Sequence, residues 1–250
     1  MYTIKSIIKL LFFNPIKRIN IQYKKRKYLF LIEPEIFNGK RIAIIGPADS
    51  ALTQKNGDFI DGFDIIIRLN KSLEIIEEHT QFIGTKTTFL AHCMDESDFT
   101  GCGKIDTKTW KHHGVQKIFY LLNEKRFDSN FDNFFLKKEV RLPVCQIDKK
   151  DYLSIKKYLN GKIPTTGFAA LFLLLNSNCS QLYITGFTFF KTSYQEGYRP
   201  KFEDISEMRK IISDHDNHDI DKEFKIIRDL INSSNLDILT DETLSKLLLE

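Results

Sequence analysis

The sequence has little cysteine, with four residues (Cys93, Cys102, Cys145 and Cys179) in 250. None is spaced as the C-x-x-C pairs of a zinc site, and four in a chain of this length fall far short of a disulfide scaffold. The expectation is therefore free thiols in a reducing, cytoplasmic setting. No apolar run approaches the ~18 residues needed to span a bilayer, and the short N-terminal run is broken by Lys9 with no small-residue cleavage site after it. Neither a signal peptide nor a transmembrane helix is read. A P-loop and a complete G-x-G-x-x-G are also missing, which argues against a nucleoside triphosphatase or a dehydrogenase. No D-x-D stands in the strand-end position where a metal-dependent sugar-nucleotide site would place it.

Acid is absent from residues 1–29, which hold eight cations (Lys5, Lys9, Lys17, Arg18, Lys24, Lys25, Arg26 and Lys27). The remainder of the chain has 29 basic and 33 acidic residues, so the overall charge of +4 conceals a mildly acidic body. Two readings of residues 1–38 stay open. As a basic amphipathic segment it can lie on an anionic membrane, through residues 1–30, because interspersed apolar side chains enter the headgroup boundary and each cation adds ~1 kcal/mol. It can equally pack on the domain with its cations in water. Nucleic acid is not expected as a partner, since the basic cluster has no binding motif beside it.

What is present, at 42% hydrophobic and 28% charged residues, is one ordinary core. From residue 39 to 250 short β-branched runs alternate with longer amphipathic stretches, the pattern of a single α/β, Rossmann-like domain with a mainly parallel, twisted sheet. Strands are expected at 41–46, 63–70, 87–92, 115–122, 142–147, 181–187 and 236–239. Helices are expected over 150–160, 164–177, 202–213, 219–232 and 241–249, with loops at 95–114 and 123–138.

Ligands of open parallel sheets bind beyond the carboxyl ends of the strands, and the unusual residues of this chain collect there. Gly46 ends the first such strand in a turn that lets backbone N–H groups approach a phosphate. Arg68 and Asn70 end the second, where a carboxamide can both donate to and accept from a nucleotide. In PTTG (164–167), the hydroxyls of Thr165 and Thr166 converge with the N–H groups of a helix start, although Thr165 or Thr166 can also be a plain N-cap. His218 begins the helical stretch 219–232, with Glu223 five residues on.

Taken together these pieces resemble the sialyltransferases. FDIIIRLN followed by GTKTT is similar to the second half of their large motif, PTTGFAALFLLLN followed by LYITGF to their small motif, and His218 to Glu223 to their H-x-x-x-x-E motif. The resemblance spans residues 41–232. It implies a Rossmann-like variant of the glycosyltransferase A architecture, and transfer of sialic acid from CMP-sialic acid to a glycan hydroxyl, with inversion and with neither metal nor other cofactor. It also implies that Asn70 contacts the nucleotide, that Thr165, Thr166 and Gly167 line the cytidine and phosphate site, and that Gly186 passes beneath the nucleotide. Tyr194 would hold the departing phosphate, and His92 would stand at the rim.

His218 would be the catalytic base, with His215 as its rival, and Glu223 a structural support. An imidazole suits that task, because its unperturbed pKa of about 6.5 lets it take a hydroxyl proton near neutrality.

The departures from the pattern are specific. Pro47 stands where the large motif carries Asn, so a donor contact is lost or supplied by Asp49 or Ser50. No cysteine precedes Ile42, so the disulfide joining the two motifs of animal enzymes is missing, as in a bacterial or viral protein. Phe190 occupies the place of a second phosphate-binding Tyr. Two alternatives to sialic acid transfer follow: a CMP-Kdo-dependent transferase of the same fold, and a non-catalytic nucleotide-binding scaffold. The expected acceptor is a lipooligosaccharide or capsule glycan, lipid-linked, met at the inner face of the membrane.

Overall fold

The structure is a computed structural model that describes residues 14–97, 102–137, 141–198, 204–214 and 218–249. It has eight strands: β1 (Leu29–Leu31), β2 (Arg41–Ile45), β3 (Ile65–Leu69), β4 (Phe89–Ala91), β5 (Lys117–Tyr120), β6 (Val144–Gln146), β7 (Gln181–Thr185) and β8 (Asp237–Thr240). All eight join one parallel sheet in the order β1-β6-β5-β4-β3-β2-β7-β8. Strands covered by helices on both faces read as continuous apolar runs rather than alternating ones. Ile42 through Ile45 are accordingly fully buried, and Ile42 sits between Ile65 of β3 and Leu182 of β7.

The α-helices are α1 (Asn14–Tyr28), α2 (Gly57–Asp61), α3 (Ile76–Ile83), α4 (Thr107–His112), α5 (Asp128–Leu136), α6 (Lys149–Tyr158), α7 (Thr166–Leu175), α8 (Ile205–Asp214), α9 (Ile220–Ser233) and α10 (Glu242–Leu248). In α9, Ile220, Glu223, Phe224 and Ile227 are buried at i, i+3, i+4 and i+7, one stripe that packs against α7. Two stretches expected as loops contain helices. Asp106 caps α4 by accepting from the N–H groups of Lys108 and Thr109, while Phe131, Phe134 and Phe135 bury one side of α5.

Residues 14–38 are tied to the body of the domain. Ile21 is buried, the Lys25 ammonium lies 2.6 Å from Asp132 of α5, and β1 forms the sheet edge beside β6. Ile16, Ile19 and Tyr23 are 64–69% exposed on the opposite side of α1, with the exposed Arg26 and Lys27 flanking them. Residues 1–13 lie outside the described residues. No described helix is long and apolar enough to cross a membrane.

Candidate active site

The chain runs outward from β2 through β3, β4, β5 and β6, then returns to place β7 and β8 on the other side of β2. The sheet's topological switch point therefore lies between β2 and β7, where a crevice opens at the carboxyl ends of the strands. Gly46 and Gly186 follow these two strands and touch backbone to backbone. A Cβ on either would overlap the other's carbonyl, and Gly186 has φ +73°. Neither position admits a larger residue without parting the two strands.

A cavity of about 340 Å³ opens over this pair. Its wall includes Asn70, Thr165, Thr166, Gly167, Gly186, Tyr194 and His218, seven of the ten positions expected from sequence. Gly46 adjoins it, and its neighbours Pro47 and Ala48 are on the wall. Asn70 adopts φ +51°, a left-handed conformation that Asn tolerates better than most residues. Its Oδ1 accepts from the Cys93 N–H at 3.2 Å, so the oxygen is committed to the protein and the Nδ2 end is the donor left for a ligand.

Thr165 is the N-cap of α7, its Oγ1 accepting from the Phe168 N–H at 3.1 Å. The plain capping role and a ligand-site position thus coincide in one residue. Glu223 fixes both, because its carboxyl accepts from the Thr165 N–H at 2.7 Å and from the Thr165 hydroxyl at 2.6 Å. Burial pushes the Glu223 carboxyl up to about 8 despite these bonds. Glu223 is 1% exposed and does not line the cavity, so it acts through Thr165, as a support.

His218 stands just before α9, whose N-cap is Asp219. Its Nδ1 lies 2.8 Å from the carbonyl oxygen of Ile163, which can only accept, so the proton belongs on Nδ1 and Nε2 keeps its lone pair. Burial first, then the positive charge of Arg126, lower its pKa below that of a free imidazole, and the Ile163 bond opposes them. A neutral imidazole of fixed tautomer on a cavity wall is equipped to take a proton. His215 lies outside the described residues.

The chain after β7 forms the facing wall. Ala48 bridges Tyr194 in antiparallel fashion, and the Pro47 carbonyl accepts from the Gln195 N–H at 2.8 Å. Phe189 and Phe190 have φ +51° and +61°, a strained conformation for aromatic residues that typically costs ~1–3 kcal/mol each. Arg209 of α8 donates to the Phe189 carbonyl at 3.3 Å and pairs with Asp221 of α9 at 2.7 Å, which links this turn to the helix behind His218.

Several sequence expectations need correction. Ser50 is buried and off the cavity; its hydroxyl donates to Asp241, which also accepts from Thr185 Oγ1 and the Gly186 N–H. Asp49 accepts from the Thr192 hydroxyl at 2.5 Å, so it too is engaged in holding a loop.

His92 is 1% exposed and does not line the cavity; its ring centroid lies 5.0 Å from that of Trp110, with Nδ1 accepting from the Met94 N–H. Burial lowers its pKa to about 4, so it is a neutral core group rather than part of the rim.

Cys93 and Cys102 are joined in a disulfide on the cavity wall, and only Cys145 and Cys179 are free. The pairing joins residues nine apart through a fold-back that their sequence spacing does not announce. Arg68, expected at the rim, is fully buried, its guanidinium donating to the Ile83 carbonyl and to Thr87 Oγ1, so it shapes the GTKTT turn from within.

Asp241, Arg126 and the aromatic wall escaped the sequence reading. The rule that ligands collect at strand ends applies equally to the segment after β5, where Arg126 lies, but its composition carries no further signal.

Residues 108–235, just over half of the chain, match the model of glycosyltransferase family 29 (sialyltransferase). No curated protein sequence matches. A mammalian sialyltransferase in complex with Gal-beta-1-3GalNAc-ortho-nitrophenol is similar in fold at 16% identity and TM-score 0.51, with 83% of this chain and 71% of that one covered. A second structure of a mammalian sialyltransferase gives 17%, 0.50, 80% and 69%. An alpha-2,3-sialyltransferase from Campylobacter jejuni gives 13%, 0.48, 85% and 77%. The family match, on a fold whose cavity gathers the small-motif threonines and the motif histidine at one switch point, establishes that the chain belongs to glycosyltransferase family 29, the sialyltransferases.

Proposed function

We propose that the protein transfers sialic acid from CMP-sialic acid to a hydroxyl of a glycan acceptor, with inversion and without a metal ion. The observation that carries this reading is His218, whose Nδ1 is spent on Ile163 while the residue shares a cavity with the Thr165–Gly167 helix start. Nε2 takes the proton of the acceptor hydroxyl as its oxygen bonds to the anomeric carbon. The bond from that carbon to the phosphate oxygen breaks, and CMP leaves as an anion. Attack from the side opposite the phosphate inverts the centre. The Thr166 hydroxyl, the N–H groups of Thr166 and Gly167 and the Tyr194 hydroxyl, with the partial positive charge of the α7 N-terminus, meet the growing phosphate charge, while Thr165, its own donors held by Glu223, fixes the start of that helix. Among the described residues no cluster of three His, Cys, Asp or Glu side chains is arranged to hold a metal; turnover undiminished by EDTA is the test of metal independence.

The acceptor we favour is lipid-linked and reached from a membrane surface. Support comes from Ile16, Ile19 and Tyr23, an exposed apolar stripe on a helix whose described charges are all cationic. A donor screen by mass spectrometry, offering CMP-sialic acid and CMP-Kdo with lipid-linked glycans, tests the whole reading. Transfer from CMP-Kdo alone would replace sialic acid with the other 2-keto acid. His218→Ala is expected to lower transfer by about 10²–10⁴ while CMP still binds; transfer retained at the wild-type rate refutes the mechanism.

A further inference from the structure

Arg126 is the one lysine or arginine on the cavity wall among the described residues. It sits on the 3-10 turn Lys125–Phe127 that follows β5, at the carboxyl end of the sheet, and its guanidinium lies 5.0 Å over the Phe127 ring. Its Nε bonds Glu124 Oε2 at 3.0 Å. Glu124 is also held by the Lys156 ammonium and by the Tyr152 hydroxyl, so two cations share one carboxylate and the group keeps a net positive charge. Asn130, four residues on and within α5, lines the same wall. The charge of Arg126 lies near enough to His218 to disfavour the imidazolium.

A cation on the wall of the cavity that also holds the base is chemically specific. The phosphate side of the reacting carbon already has donors in Thr166, the α7 N-terminus and Tyr194, whereas a 2-keto acid sugar carries a second anion bonded directly to that carbon. A planar guanidinium binds a carboxylate in two-pronged fashion, and an amide on the next helical turn can add a donor. We propose that Arg126, assisted by Asn130, binds the C1 carboxylate of the donor sugar and is the residue that selects an acidic sugar. This rests on the CMP-sugar reading above and adds to it the group that recognises the sugar.

The test is steady-state kinetics of the full-length protein with CMP-sialic acid and with its C1 methyl ester, and with CMP as inhibitor, for wild type, R126K, R126Q and N130A. Thermal unfolding of each variant verifies that it is folded. The expected result is a rise of about 10-fold or more in donor KM for R126Q, with the CMP inhibition constant changed by less than about 2-fold. The wild-type preference for the free acid over the ester should collapse in R126Q and survive in part in R126K. An unchanged donor KM overturns the inference, as does an equal loss of CMP affinity, which would make Arg126 a phosphate ligand. A rise in acceptor KM alone would assign it to the acceptor and overturns it too. Wild-type protein that binds CMP but turns over no acidic CMP sugar sinks the donor reading itself, an outcome distinct from all of these.

Discussion

Replacing Glu223 by Gln and by Ala separates two consequences of burying a carboxyl beneath the PTTG turn. With a folded pKa of about 8 against an ordinary 4.5, Glu223 is mainly protonated at neutral pH. The sign follows from linkage. A carboxyl whose folded pKa is raised binds its proton more tightly in the folded state, so its contribution is complete below about pH 4.5 and is lost as pH rises towards 8. Between pH 5 and 7 that loss is on the order of 2.5 kcal/mol, or roughly 5–10 °C in Tm for a chain of this size. Gln copies the protonated acid and does not titrate, so the stability gap between E223Q and wild type should move by this amount in favour of E223Q over that interval. Ala leaves the half-buried Thr165 N–H and hydroxyl without their acceptor, at up to about 1–3 kcal/mol for each unsatisfied group, and should loosen the start of α7 with a rise in donor KM. Urea unfolding at pH 5, 6 and 7, together with donor kinetics, reads both effects. A pH-independent gap between E223Q and wild type would mean that Glu223 is ionised in the fold, and an E223A variant as stable as wild type would refute the support role.

Other consequences can be measured in the same preparations. His218→Ala should lower kcat by about 10²–10⁴ with little change in CMP affinity, and because burial lowers the pKa of His218, the acidic limb of the wild-type kcat/KM profile should fall below the ordinary imidazole value of about 6.5; a limb at or above that value contradicts the assignment. Gly186→Ala should destabilise the fold and weaken CMP binding, since the new methyl meets the Gly46 carbonyl at φ +73°; calorimetry with a normal Tm would show that the two strand ends can part. Ile16→Ser with Ile19→Ser should release the protein from phosphatidylglycerol vesicles in a sedimentation assay while leaving Tm near wild type, and equal sedimentation of variant and wild type removes α1 as the contact.

Much of the fold is legible along the chain because a parallel sheet buried on both faces needs uninterrupted β-branched runs, and RIAII, IIIRL and QLYIT are such runs. The three-residue strand β1 leaves no such trace, since its apolar residues follow a basic helix and its pairing with β6 joins segments more than 100 residues apart. The site divides along the same line. Thr165, Thr166, Gly167 and His218 stand in local patterns whose chemistry is visible residue by residue. Ser50, His92 and Arg68 have equally suggestive chemistry in the sequence, and only burial shows that their polar atoms are spent on Asp241, Met94 and the GTKTT turn.

By itself, then, the sequence determined the α/β class, the positions of the central strands and helices, and a histidine and two threonines suited to a sugar-nucleotide site, because each depends on neighbours within a few residues. Tertiary structure decided which of these residues meet. The return of the chain from β6 to β7 sets Gly46 against Gly186, Glu223 under Thr165 and Arg126 on the same cavity wall as His218, while the segment after β4 brings Cys93 to Cys102. Burial and hydrogen-bond partners belong to the packed chain, and they separate a ligand-facing polar group from one that holds the fold.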